Sequence, residues 1–246
     1  MAILVTGGTK GIGLEIACRF AKPGADVFLN YVSDSQAAAK AAKRVERLGA
    51  RVHLIQQDVG TPEGAQLALD AVAEKVDNLD QLVHCAVRVL AQPSLEVDLH
   101  EFTKAVNLNG TALLYLVRGA LPMLRRGSTV FYLTSRGSRI ALKNYAAVGA
   151  AKAMAEALAR YLVLELGPRG IRINCVAPSG VDTDALRSVY GDKTDDILRK
   201  NATETPNGRT IKHDDYTSLV EFLASPAAEM IQGQVIFVNG GQYLHA

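Results

Sequence analysis

Short apolar runs recur along the chain, separated by longer stretches in which apolar and polar positions mix at helical spacing. The runs predict strands near residues 2–6, 26–31, 51–56, 79–84, 128–134, 171–177 and 235–238. The mixed stretches, many of them rich in alanine, predict helices near 11–21, 34–48, 62–76, 98–126, 143–167 and 213–224. The strand runs lack polar alternation, the pattern of strands covered on both faces. Strand–helix alternation with short connections predicts an α/β fold. It is a single Rossmann-type, doubly wound parallel sheet of about seven strands, flanked by helices on both faces. The 246 residues fit one such domain, 1–246. One stretch, 179–212, breaks the alternation with charge, Thr, Gly and Pro. A connection that long is expected to be a lid or binding loop, with 184–212 closing over a substrate.

Composition adds limits. Hydrophobic residues make up 48% of the chain, ample for a core, but there is no Trp and aromatics are 6%. The core must therefore be mostly Val, Leu, Ile and Ala. The 27 basic and 25 acidic residues leave a net charge of +2, which argues against a nucleic-acid-binding surface. No apolar run approaches the roughly 18 residues of a membrane span, so no membrane association is expected. Met1 leads almost directly into Ile3-Leu4-Val5, without the pattern of a secretory signal. Cys18, Cys85 and Cys175 are far apart, odd in number and flanked by apolar residues. They are expected to be reduced, buried packing residues of a cytoplasmic protein, and no metal site is expected.

The first strand ends in Thr6-Gly7-Gly8-Thr9-Lys10-Gly11-Ile12-Gly13, and a helix begins at about Gly11. Glycines permit a tight turn and let a pyrophosphate approach the backbone. The helix N-terminus offers free N–H groups and a positive dipole end. A bare glycine pattern is weak, but here it follows a strand and opens a helix, as a dinucleotide site requires. Gly7, Thr9, Lys10, Gly11, Ile12 and Gly13 are therefore candidate cofactor residues. The second strand ends in Asn30-Tyr31, with no acid to clamp a ribose 2′-hydroxyl; Asp34 lies past it. Lys10 can reach a 2′-phosphate, so NADPH is favoured over NADH. Asp58-Val59 follows the third strand, where the carboxylate can contact the adenine amino group or merely cap a helix.

Tyr145 and Lys152 stand seven residues apart in an Ala-rich helical run. Seven residues are two turns, so the pair is expected to share a face, about 20° apart and roughly 10.5 Å along the axis. Ser135 ends the fifth strand, where ligands of open α/β sheets collect. Asn107 lies in the middle of the long helix predicted for 98–126, where Asn is a poor former.

Together these residues resemble the short-chain dehydrogenase/reductase family, over the whole chain. The Thr6–Gly13 loop, Asp58-Val59, Asn107, Ser135, Tyr145, Lys152 and the run Pro178 to Thr183 fall in the family's order. The Tyr-x6-Lys spacing resembles the enoyl-acyl carrier protein reductases, most closely the NADPH-using "III" type. That type shares a Ser ten residues before the Tyr, the run Val181 to Leu186, and the Gly233-Gln234 to Gly240-Gly241 ending.

The resemblance implies reduction of the carbon–carbon double bond of a trans-2-enoyl thioester. Tyr145 would bond the developing enolate oxygen, further from the nicotinamide than in a ketone reductase. Lys152 would hold the ribose hydroxyls and favour the Tyr145 phenolate. Asn107 would bend its helix and hold a water near Lys152, and Val181 and Thr183 would grip the carboxamide. Ser135 would bind a substrate carbonyl or cap the strand end.

There are departures. His84-Cys85-Ala86-Val87 replaces an Asn-Asn-Ala-Gly-like turn and reads as structural. Arg136 stands where some relatives have a second Tyr, and Pro178-Ser179 is closer to ketoreductases. Two alternatives stay open: a ketoreductase acting on a 3-oxoacyl thioester or other ketone, and a nucleotide-binding scaffold without turnover. An acyl carrier protein or coenzyme A would carry the substrate. A carrier protein would dock on a basic rim of Arg136, Arg139, Arg187, Lys193, Arg199, Lys200, Arg209 and Lys212, unless these form only a solvated face. Relatives assemble as tetramers through helices with small-residue faces, represented here by Gly110, Ala112, Ala153 and Ala157. Packing within one subunit would use the same pattern.

Overall fold

The computed structural model describes residues 1–242 and 244. The expected 1–246 unit also covers Tyr243, His245 and Ala246, which lie outside the described residues. The apolar runs become strands β1 (Ala2–Thr6), β2 (Asp26–Tyr31), β3 (Arg51–Gln56), β4 (Gln81–His84), β5 (Thr129–Leu133), β6 (Arg172–Pro178) and β7 (Val235–Val238). They form one sheet in the order β3-β2-β1-β4-β5-β6-β7, with every neighbouring pair parallel. The order reverses between β1 and β4, so a crevice opens beyond the C-terminal ends of those strands.

Helices cover both faces. They are α1 (Gly11–Phe20), α2 (Ser35–Glu46), α3 (Pro62–Ala73), α4 (Leu99–Val106), α5 (Ala112–Ala120), α6 (Ala146–Leu166), α7 (Asp184–Tyr190), α8 (Thr194–Glu204) and α9 (His213–Ala224). Successive strand residues point to opposite faces, and both faces are dry. Leu4, Leu82, Val130 and Ile173 pack with α3, α5 and α6 side chains such as Leu69, Leu113 and Leu162. Ile3, Val5, Val83 and Phe131 pack with Ile16, Val45 and Val220 of α1, α2 and α9. This is why the runs read as continuously apolar. Truncating one such Leu or Ile to Ala costs about 2–5 kcal/mol. No helix among the described residues is long and apolar enough to cross a membrane.

Three expectations are corrected. The single helix at 98–126 is two, joined by a π-turn at Asn107–Thr111. The side chain of Asn109 accepts from Arg88 N (3.0 Å) and donates to Arg88 O (2.9 Å), and the Tyr132 hydroxyl donates to the Asn109 carbonyl. Partners outside the helix thus claim groups that the regular ladder would use. The 179–212 stretch is largely helical, as α7, a short 3₁₀ turn and α8. On α8 the buried residues are Thr194 and Asn201, so polar side chains face inward and hide the period. The helix expected from 143 begins at Ala146. Asn144 takes a left-handed φ of 57°, a turn that Asn tolerates, and leaves Tyr145 as the residue preceding α6.

Candidate functional site

A cleft of about 770 Å³ runs beyond the C-terminal ends of β1, β2, β4, β5 and β6. Its floor is the glycine loop. Gly7 has φ +62°, and a Cβ there would lie 2.8 Å from the Ala86 Cα, so the ends of β1 and β4 touch. At Gly13 a Cβ would lie 2.4 Å from the Gly7 carbonyl oxygen, so the loop closes on itself only without a side chain. α1 starts after Lys10 with no side-chain cap, which leaves first-turn N–H groups available beside Gly11 and Ile12 on the cleft wall. An uncapped helix start above a backbone stripped of Cβ atoms fits the pyrophosphate of a dinucleotide.

At the β2 end, the Asn30 amide donates to Ile55 O (3.2 Å) and Gln57 O (2.9 Å), tying β2 to β3. Lys10 Nζ lies 2.6 Å from Asp34 Oδ2 and 3.7 Å from Asp184 Oδ2, and all three residues line the cleft. The Asp34 bond is the main reason the Lys10 amine is pushed up from its ordinary value. Asp34 also caps α2, accepting from Ala37 N at 2.9 Å. Asp34, which sequence order puts beyond the strand, is thus brought onto the wall and occupies Lys10. Val59 lines the cleft; Asp58, beside it, accepts from Gly60 N at 2.9 Å, and the residue that caps α3 is Thr61 rather than Asp58.

The far end gathers Ser135, Tyr145 and Lys152 on the wall. The Ser135 and Tyr145 hydroxyls are 3.4 Å apart, and Ser135 Oγ accepts from Gly137 N at 3.1 Å. Gly137 lies flat on the Tyr145 ring, where a Cβ would come within 2.6 Å. Lys152 Nζ donates to the Leu133 carbonyl and stands 5.0 Å over the Tyr132 ring. Burial pulls the Lys152 amine down to about 8, against Cys85, Cys175 and Glu156, which favour its charge. Burial likewise pushes the Tyr145 phenol up, and Tyr190 adds to the rise. The Ser135 hydrogen bond and Arg136 oppose it. The expected acidification of this phenol is therefore outweighed by desolvation. Tyr145 is the residue before α6, and its carbonyl accepts from Gly149 N at 2.7 Å, the first bond of the helical ladder.

Asn107 opens the π-turn and accepts from Thr111 Oγ1 at 3.4 Å; neither it nor Gly13 lines the cleft. The helix changes from α to π form at Asn107. His84 is buried, with Nε2 3.0 Å from Leu108 O and Nδ1 2.7 Å from Thr6 Oγ1. A carbonyl only accepts, so Nε2 carries the proton and Nδ1 accepts from the threonine. Burial pulls this imidazole down to about 4, so it is a neutral strut between β1, β4 and the π-turn.

Beyond Tyr145 the walls turn apolar, with Val89, Leu90, Leu142, Leu186, Val189 and Ile197, and with Tyr190 among them. Val181 is buried on the wall, and Thr183 caps α7 by accepting from Leu186 N at 3.2 Å. The segment that supplies part of this wall was expected as a lid, but its helices α7 and α8 were not, because their polar inward positions left no periodic signal. The basic rim is largely neutralised. Arg187 pairs with Asp182 and Asp195, Arg199 with Asp196, Lys200 with Glu204, Arg209 with Asp215 and Arg139 with Glu156.

A family model described as enoyl-(acyl carrier protein) reductase matches residues 7–243. The chain is 29% identical over 238 residues to 1-cyclohexenylcarbonyl-CoA reductase of Streptomyces collinus, covering 97% of this chain and 85% of that one. A short-chain dehydrogenase of Burkholderia cenocepacia, solved with NADP, superposes with a TM-score of 0.87 at 30% identity, covering 98% and 96% of the two chains. The angucycline C-6 ketoreductase LanV, also solved with NADP, superposes with a TM-score of 0.87 at 27% identity, covering 98% and 95%.

Proposed function

The chain belongs to the short-chain dehydrogenase/reductase family, and from that premise we propose that it reduces the carbon–carbon double bond of a 2-enoyl thioester with NADPH. The observation that carries this reading is the lining of the cleft. One cleft is lined by a backbone-built cradle, by the Ser135–Tyr145 hydroxyl pair and by a set of aliphatic side chains. The cradle suits a dinucleotide and the aliphatic side chains an acyl chain. The description of the matching family and the named activity of the Streptomyces relative support it, and the two NADP-bound neighbours support the cofactor.

Gly7, Thr9, Gly11 and Ile12 would hold the pyrophosphate, with Gly13 letting the loop close. Lys10 would meet the 2′-phosphate once it leaves Asp34, and Val59 would flank the adenine. Lys152 would bind the nicotinamide ribose, and Val181 and Thr183 the carboxamide edge. Bound there, the reduced nicotinamide supplies hydride to the β-carbon. Charge would then collect on the thioester oxygen, where Tyr145 donates a hydrogen bond supported by Ser135, and a proton from water would reach the α-carbon to complete the reduction. The raised phenol suits this role, because it stays protonated and able to donate at neutral pH. Segment 184–212 would close over the acyl chain. The thioester carrier is coenzyme A or an acyl carrier protein. The exposed apolar residues Tyr161 and Leu164 on α6 support assembly into a homotetramer, whereas Gly110, packed on Met154 and Ala151, is used within the subunit.

A second reading, reduction of a ketone, has its own observation. The two hydroxyls 3.4 Å apart can bracket a carbonyl oxygen, and LanV is described as a ketoreductase. The test is NADPH oxidation with 2-enoyl thioesters beside 3-oxoacyl thioesters. Turnover of the enoyl substrates alone, reduced about 10²–10³-fold in Tyr145→Phe, is expected. Turnover of the ketone alone selects the second reading.

A further inference from the structure

Three consecutive residues at the end of β5 each engage α6. The Leu133 carbonyl accepts from Lys152 Nζ, Thr134 Oγ1 donates to Glu156 Oε1 at 2.6 Å, and the Ser135 hydroxyl meets that of Tyr145 at 3.4 Å. The middle rung is unusual. Glu156 is 2% exposed, one helical turn beyond Lys152, and lies away from the cleft wall. Its second oxygen, Oε2, accepts from Arg139 Nε at 3.0 Å. Thr134 precedes the Ser135 turn and Arg139 follows it, so one buried carboxylate grips both ends of the segment that presents Ser135. The close contacts of Gly137 with the Tyr145 ring and of Gly149 with the Gly137 carbonyl press the same segment onto the start of α6.

We propose that Glu156 is a positioning residue for the reaction, which clamps the Ser135 turn to α6 and places a buried carboxylate one helical turn from Lys152. A carboxylate buried this deeply is costly unless it is paired, and a packing role alone needs no charge there. The proposal rests on Tyr145 and Lys152 being the reacting pair.

The groups facing Lys152 are the Tyr132 ring from β5, His84 and Cys85 at the end of β4, Cys175 from β6, and Glu156 on its own helix. His84 is neutral and both thiols are pushed up by burial, to about 11 for Cys85 and about 12 for Cys175. Glu156 is thus the one among these whose two oxygens both accept hydrogen bonds, from Thr134 and from the Arg139 guanidinium, as a carboxylate does. Removing its charge must make the Lys152 ammonium easier to deprotonate, so function that needs the ammonium fails at lower pH.

The test uses Glu156→Gln, which keeps an oxygen for Thr134 and drops the charge, with Arg139→Gln as the second variant. NADPH affinity, read by fluorescence titration across neutral to alkaline pH, needs no substrate. Turnover is read in parallel. In Glu156→Gln the alkaline loss of NADPH affinity is expected to move to lower pH by about one unit, and kcat to fall about tenfold or more with KM changed less. In Arg139→Gln, where the carboxylate remains with less compensation, the limb should move the other way. An unmoved limb in a folded Glu156→Gln protein overturns the proposal. If that variant does not fold, an unmoved limb in Arg139→Gln does so. Wild-type protein that binds NADPH with the expected limb but turns over no enoyl or keto substrate would sink the reductase reading and leave the clamp standing.

Discussion

The two ends of the cleft are made from different materials. The glycine-loop end is backbone folded against backbone, where an added Cβ at Gly7 or Gly13 would strike main-chain atoms. The α7–α8 end is side chains on short helices, joined to each other and to the chain before them by ion pairs such as Arg187–Asp195 and Arg187–Asp182 that stand largely in solvent. Exposed pairs of this kind hold little. The contrast teaches that one end is shaped for a fixed ligand, and the other can reshape around a variable one.

The largest expected effect is at the rigid end. Gly13→Ala must move the Gly7 carbonyl, so cofactor binding should be lost and stability should fall by about 1–3 kcal/mol, read by NADPH fluorescence and thermal unfolding. A variant that binds NADPH normally would break the comparison. Lys152→Met, at the junction of the two ends, should abolish turnover yet raise stability near neutral pH. The sign follows from the folded amine, near 8, lying below its ordinary 10.5. Between those values the unfolded chain binds more protons, so this group's contribution to stability improves as pH rises and is worst below about 8. The variant should gain about 1–3 kcal/mol at pH 7, shrinking toward pH 10.

Smaller effects would sharpen the contrast. Lys10→Ala should weaken NADPH about tenfold while leaving NADH nearly unchanged, because only the former has a phosphate to meet the amine. Equal losses for both would mean that Lys10 serves the loop and its ties to Asp34 and Asp184 rather than the phosphate. The smallest change is expected from Ile197→Ala on α8, a few-fold shift in KM that grows with acyl-chain length and leaves NADPH affinity untouched.

Legibility divides along the same line. Gly7, Gly11, Gly13 and the strand before them were readable because a backbone cradle demands one residue type at fixed spacing. Ser135, Tyr145 and Lys152 were readable as candidates, and the structure does bring them together on one wall. The contact of the Tyr145 ring with Gly137 was not readable, since it depends on the turn after β5 rather than on helical spacing. Asp34 and Asp58 show a similar limit. Their order along the chain suggested one beyond the site and one in it, and folding places Asp34 on the wall and turns Asp58 to Gly60.

The sequence by itself determined the sheet, its two dry faces and the cradle, because these follow from local rules: apolar runs, helical period and the space only glycine leaves. Only the tertiary structure decided the π-turn, the helical form of α7 and α8, the neutralised rim, and the clamp of Glu156 on Thr134 and Arg139. The π-turn and the clamp depend on groups that meet 17 to 23 residues apart, most of the rim pairs form within or beside short helices whose period is hidden, and burial then sets whether a side chain such as Lys152 or Tyr145 holds its proton.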